Sequence, residues 1–388
     1  MSALAEDPSP DKSGTRVTPP LLHAPDEGRH ATWLELFCDL VFVVAVSQLG
    51  RRLSSGVSAD GYLQYVGLFL PVWWAWVGHT VYASRFDTDD VVHRAATFVL
   101  MLAAAAMAVF ATSAYETAGR GFAGAYVVAR LVVVLLYVRA WRHVPEARTV
   151  ARLYILGFSF GALCWAVSLL AEPPLRYLLW ATGISIDLLV PLVGGSVLRN
   201  RPLDTSHMPE RFGLFTLIVL GEMVLSVVAG ASSLQWQPAA GVAAVLAFVV
   251  AVGIWWPYFD FLERSPFDRS LGSGLTYIYA HLPLVVGIAG LGVGLGRAIA
   301  NAGRRTLSGP DAALTGGSFA LWVAAFACVQ LVSEHRTGAG ASRRLRSLVV
   351  ALGIGIAIAV FGGAVPPLVV VGTLAATLVA LVVVAEHR

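Results

Sequence analysis

What most constrains this chain is the recurrence of apolar runs of bilayer length, separated by short charged loops. A helix of about 20 apolar residues crosses the hydrocarbon core. Twelve such stretches can be counted by length and apolarity. They start near Trp33, Tyr62, Val91, Phe122, Thr149 and Arg176, and then near Glu210, Ala239, Gly274, Ser318, Leu345 and Pro366. The last two read as spans or as a tight helical hairpin. Composition agrees: 57% of residues are hydrophobic and 13% charged, against about 25% charged in a soluble domain. Mean hydropathy is +0.72. The expected fold is an all-α integral membrane protein of about twelve transmembrane helices, with the lipid bilayer as its first partner.

A net charge of +3, spread over loops without a basic stripe, points to no nucleic-acid partner. Cys38, Cys164 and Cys328 lie in apolar segments without zinc-like spacing, and are expected to be free buried thiols acting as small hydrophobes. No cofactor or metal is expected. Residues 1–30 are polar and Pro-rich ("EDPSPDKSGTRVTPP") and lack the h-region of a signal peptide. They are expected to form a disordered cytosolic tail.

Loop charge sets the orientation. With the N-terminus inside, the cytosolic segments carry 19 Lys and Arg residues, three of them assigned to the loop between spans 6 and 7, and the outer loops carry 7. Both termini are therefore expected in the cytosol of a bacterial inner membrane.

The two halves, residues 31–200 and 201–388, read as related. "HATWLELFCDLVFVVAV" opens span 1 and "HMPERFGLFTLIVLGEM" opens span 7, each with a His, then an acid, then a Phe two residues on. "WWAWVGHTVYASRFDTDD" in span 2 parallels "WWPYFDFLERSPFDRS" in span 8, with Trp73 and Trp74 against Trp255 and Trp256. Six spans separate the copies. An even number keeps both in one orientation, so two parallel six-helix repeats related by an axis along the membrane normal are expected.

These opening segments resemble the two signature segments of the low temperature requirement protein A (LtrA) family, and the resemblance runs through nearly the whole chain. Cys38 stands where the family commonly has Phe, and Met223 where a small residue often follows Gly-Glu. Both departures bear on packing more than on chemistry. The resemblance implies a bacterial polytopic inner-membrane protein linked by name to growth in the cold.

Ionisable residues within spans cost about 2.5–3.5 kcal/mol each at a helix centre, so they need partners or a wet cavity. Glu35 and Asp39 share one helix face at i and i+4. They read either as carboxylates at the mouth of a cation or proton pathway, able to share one proton, or as dipole-favoured acids paired with a loop Arg. Glu210 stands at the edge of span 7 and Glu222 lies twelve residues deeper. Aligning the halves sets Glu222 opposite Ser47 and beside Gln48. Arg130 and Asp187 lie at the centres of spans 4 and 6, where Arg130 can lock with Asp187 or Glu222. Two acids sharing one Arg would instead leave an uncompensated charge. His79 and His281 read as satisfied interior histidines or as proton relays. Asp260 is expected on the cytosolic side. "GIAGLGVGLG" follows no strand, and Gly292 and Gly296 form a GxxxG packing face.

The expected polar lining is thus Glu35, Asp39, Gln48, His79, Arg130, Asp187, Glu210, Glu222, Asp260 and His281. The function these residues favour is a transporter or channel for a small solute or cation, with proton coupling as one form of it. Two alternatives stand beside it. One is a membrane-embedded enzyme acting on lipid, with Glu35, Asp39, His79 and Asp87 at the cytosolic interface. The other is a sensory or structural membrane protein.

Overall fold

A computed structural model describes residues 17–22, 31–87, 89–199, 207–232, 238–264, 270–330 and 339–386. Twelve long helices run through them. In the first half these are α1 (Trp33–Ser55), α2 (Ala59–Arg85), α3 (Val91–Ala111), α4 (Gly119–His143), α5 (Arg148–Ser168) and α6 (Leu175–Val193). A single turn, α7 (Gly195–Leu198), follows. The second half holds α8 (His207–Ser232), α9 (Pro238–Arg264), α10 (Leu271–Ala300), α11 (Gly309–Gln330), α12 (Ala339–Phe361) and α13 (Pro367–Glu386). Each matches one expected span, and the last two are separate helices. Residues 265–269, the end of the aligned "WWPYFDFLERSPFDRS" segment with Asp268, lie outside the described residues.

Local chemistry starts several of these helices. The first N–H groups of a helix lack intrahelical partners. Thr32 accepts from the Glu35 amide at 3.3 Å, while the Glu35 carboxylate accepts from the Thr32 amide at 2.8 Å, a reciprocal capping box. Ser58 caps α2 through the Gly61 amide at 3.0 Å. Asp90 caps α3 through the His93 amide at 3.0 Å.

Eleven helices are long and apolar enough to cross a membrane; α2 falls short of that apolarity. Its surroundings explain why. Every residue from Pro71 to Arg85 is buried, so α2 faces protein on all sides and needs no lipid-compatible surface. α10 is buried in the same way from Leu284 to Gly296. The other helices flank these two. α1 packs on α2 and α3 and also reaches α8 and α10, which makes it the main seam between the halves.

Close helix approach rests on glycine. A Cβ on Gly292 would lie 2.9 Å from the Met223 backbone, and one on Gly296 2.7 Å from the Ser226 carbonyl oxygen, so α10 and α8 touch along that face. The halves share an order of packing: α1 lies on α2 and α3 as α8 lies on α9 and α10. Their aligned aromatics differ in surroundings. Trp73 and Trp74 are buried, whereas Trp255 and Trp256 are each 44% exposed.

Two expectations need correction. Within the segment read as a disordered tail, Leu21–Leu22 (β1) pairs antiparallel with Phe86–Asp87 (β2), and the Thr18 amide donates to Asp90 at 3.2 Å. The open backbone beyond the end of α2 supplies the pairing edge. The cysteines are free, but only Cys38 is buried; Cys164 is half-buried and Cys328 exposed.

Candidate functional site, a buried acid cluster between the halves

Glu35 and Asp39 lie one turn apart on α1, and both are fully buried. The group facing them is Arg211, one turn into α8, with no exposed surface. Its guanidinium stands 3.2 Å from Glu35 Oε1 and donates to Asp39 Oδ1 at 2.6 Å. Trp76 Nε1 on α2 donates to the same Oδ1 at 2.7 Å. Asp39 Oδ2 has no hydrogen-bond partner among the described residues. Trp76 rests on Phe212 and Phe215 of α8, at ring-centroid distances of 5.0 and 4.4 Å. The cluster therefore joins α1, α2 and α8 across the seam.

Among the described residues Arg211 is shared by two carboxylates, so these three groups, all ionised, carry one more negative than positive charge in a buried setting. Removing charge from water costs several kcal/mol per ion unless it is paired. A single proton on either acid neutralises the set.

His79 lies one turn beyond Trp76 on α2, within electrostatic reach of Arg211 and Glu35. Its Nε2 is 3.1 Å from the Thr97 hydroxyl. That hydroxyl spends its own proton on the His93 carbonyl at 2.9 Å. His79 Nε2 is therefore the donor, which assigns the neutral tautomer with the lone pair on Nδ1. Nδ1 is buried and has no hydrogen-bond partner among the described residues. The His93 ring stacks at 5.7 Å. His79 thus keeps a buried proton-accepting nitrogen one turn along α2 from Trp76.

The remaining expected residues separate from this cluster. Arg130 and Asp187 form their own pair at 3.0 Å, both fully buried. Tyr126 donates to Asp187 at 2.7 Å, and the Arg130 guanidinium lies 3.9 Å from the Phe158 ring centroid. Gly161 makes room for the carboxylate, since a Cβ there would stand 2.3 Å from Asp187 Oδ1. One charge meets one opposite charge here, which is an internal lock. His281 is also satisfied: Nδ1 donates to the Tyr277 carbonyl at 2.7 Å and Nε2 accepts from Tyr258 at 2.9 Å.

Glu222 is half-buried on α8, eleven residues past Arg211 and so roughly 16 Å along the helix. It does not join Asp39, because that rise carries it away from the cluster. Gln48, Glu210 and Asp260 are half-buried as well. Glu35, by contrast, is buried against Arg211.

Arg211, the partner that makes the cluster, is a residue that sequence reasoning misplaced among the loop cations between spans 6 and 7. The usable signal was its position in "HMPERFGLF", directly after the acid taken as the helix start. Among the described residues no three His, Cys, Asp or Glu side chains are grouped to hold a metal ion.

The model of a family described as bacterial low temperature requirement A protein (LtrA) matches residues 30–384. An uncharacterized protein of Rhizobium meliloti (strain 1021) is 30% identical over 281 residues, covering 68% of each chain.

Proposed function

The chain belongs to the bacterial low temperature requirement A (LtrA) family, and from that premise we propose that it is an inner-membrane transporter or channel for a small solute or cation, working through proton exchange at Glu35 and Asp39. One observation carries the reading: two buried acids of the first half share the single guanidinium of Arg211 from the second. Intramembrane ionisable groups mark ion and proton pathways when they are not simply neutralised. The Arg130–Asp187 pair holds one charge of each sign, whereas Glu35 and Asp39 set two acids against the one guanidinium of Arg211, and a proton held by either acid would balance these three groups. Proton loss and gain at Asp39 would tighten and loosen the tie between α1 and α8. In transporters built of two halves, the moving boundary is such an interface. The two halves are proposed as parallel six-helix repeats, with both termini cytosolic, in line with the loop charges.

The test is proton movement. Protein reconstituted in liposomes with a trapped pH dye, under a potassium-driven membrane potential, should acidify or alkalinise the lumen. Asp39→Asn, which keeps the acceptor oxygen for Trp76 and Arg211, should abolish that movement. Equal traces for wild type and variant would sink the reading. A loss of melting temperature with unchanged flux would make the cluster a structural lock, a reading favoured by the double engagement of Asp39 Oδ1.

A further inference from the structure

A second feature lies away from the acid cluster. α4 and α5 pack side by side and are joined by a turn at Pro145–Ala147. Along α4, Val128, Leu131 and Leu135 are exposed at helical spacing, and the same face ends in exposed Arg142. α5 repeats the pattern in the opposite direction. Exposed Arg148 and Arg152 open it, and exposed Leu156, Phe160 and Leu163 continue their face. The two stripes run about 16–21 Å from their arginines. The hydrocarbon of one leaflet is about 15 Å deep, so each stripe lines the full length of an acyl chain.

The cations at this end of the bundle fall into two groups. Arg94 pairs with Asp89 at 2.8 Å and Arg139 with Asp90 at 2.7 Å. Arg142, Arg148 and Arg152 are exposed and stand in no ion pair among the described residues. Arg148 Nε donates to the Trp141 carbonyl at 3.2 Å, which brings its guanidinium to the residue before Arg142. The one acid within residues 139–152 is Glu146. Arg148 and Arg152 also occupy the first turns of α5, where the helix dipole disfavours cations. Folding gains nothing from three like charges held around one turn. An anion shared among them would gain from all three.

We propose that the α4–α5 edge binds an anionic phospholipid, its phosphodiester headgroup at Arg142, Arg148 and Arg152 and its acyl chains along the two apolar stripes. Cationic surface at the end of membrane helices is a known form of headgroup site. The charge complementarity continues without a break into apolar surface at bilayer depth. A soluble phosphate meets only the arginines, and an acidic protein segment outside the membrane leaves the stripes to other lipids. A zwitterionic headgroup adds an ammonium that three arginines repel.

The inference goes beyond the proton-exchange reading and concerns binding alone. A failed flux assay leaves it intact, and failed lipid binding leaves the proton site intact. Its test is native mass spectrometry of the purified full chain in detergent, titrated with phosphatidylglycerol or with phosphatidylcholine of the same acyl chains. Phosphatidylglycerol is expected to bind about 10-fold more tightly. An arginine near an anionic headgroup is worth about 5-fold in lipid binding, so the triple variant Arg142→Gln, Arg148→Gln, Arg152→Gln should lose that preference. A control triple at exposed arginines elsewhere, Arg51→Gln, Arg304→Gln, Arg305→Gln, should keep it. Soluble glycerol phosphate and a poly-glutamate peptide should leave the phosphatidylglycerol adduct in place. Equal binding of the two lipids, or equal loss in the two triple variants, would overturn the proposal. Displacement by glycerol phosphate would make the edge a soluble-phosphate site instead, and displacement by poly-glutamate a protein-docking one, each against the lipid assignment.

Discussion

At the residue scale the deciding group is Arg211. It is the only guanidinium facing two buried acids among the described residues, so its removal takes a countercharge from both. Breaking a buried ion pair from one side costs about 3–5 kcal/mol. Arg211→Met is therefore expected to lower stability by that order, measured as denaturant or thermal unfolding in detergent. Asp39→Asn should cost clearly less, because its remaining oxygen still accepts from Trp76. A smaller loss for Arg211→Met than for Asp39→Asn would contradict this assignment. Asp90, outside the membrane spans, supplies a pH effect. Burial alone raises its carboxyl, but hydrogen bonds from Arg139 at 3.0 and 2.7 Å, with the His93 amide, outweigh burial and hold it below the ordinary range. A folded-state value below the unfolded one means the stabilisation is complete above about pH 4 and is lost as pH falls below it. Melting temperature should decline over that acid range, and Asp90→Asn should flatten the decline. These residues also mark the limit of sequence reading. Asp39 stood out because an acid in an apolar run is conspicuous. Arg211 did not, since a cation four residues from a helix start reads as loop charge until α1 is brought against it.

At the scale of elements, length and recurring apolar runs located the long helices, because a helix satisfies its backbone without water, although α2 falls short of the apolarity of the other eleven. Those properties do not say which helices stand in the middle. α2 carries Trp, Tyr, His and Arg because it meets no lipid, and that polar content was the one signal of its central place. The aligned "WW" pairs show the limit: the same two letters are interior in α2 and partly exposed in α9. Glycine contacts make the α8–α10 crossing testable. A Cβ on Gly230 would stand 2.4 Å from the Gly296 carbonyl oxygen, while one on Gly221 meets nothing within 4 Å. Gly230→Ala is expected to cost about 1–3 kcal/mol through overpacking. Gly221→Ala, on the same helix, should be neutral or stabilising by up to about 1 kcal/mol. Thermal unfolding of the two variants side by side checks the crossing, and equal melting temperatures would count against it.

At the scale of the whole molecule, α1 is tied to the second half near both of its ends. Glu35 and Asp39 meet Arg211 near its start, and the Ser54 carbonyl accepts from Arg297 at 2.9 Å near its finish. The second tie carries no carboxylate of α1 and is indifferent to proton binding there. The first is not: neutralising Asp39 takes away the nearer of the two charges that draw Arg211 across the seam. A movement of the halves should then open at the Asp39 end and pivot near Ser54. The native thiol of Cys38 is placed to report it, since it is buried beside Asp39 at that end. With Cys164 and Cys328 replaced by Ala, a membrane-permeant maleimide should label wild-type Cys38 slowly. Asp39→Asn, compared at one fixed pH so that thiol ionisation in the reagent step is held as constant as possible, should speed labelling several-fold. A cysteine introduced at Ser54 in a Cys38→Ala background should show no such change. Faster labelling at both ends would mean general loosening of the fold. No change at either would mean that the seam is fixed and that Asp39 serves only to hold it.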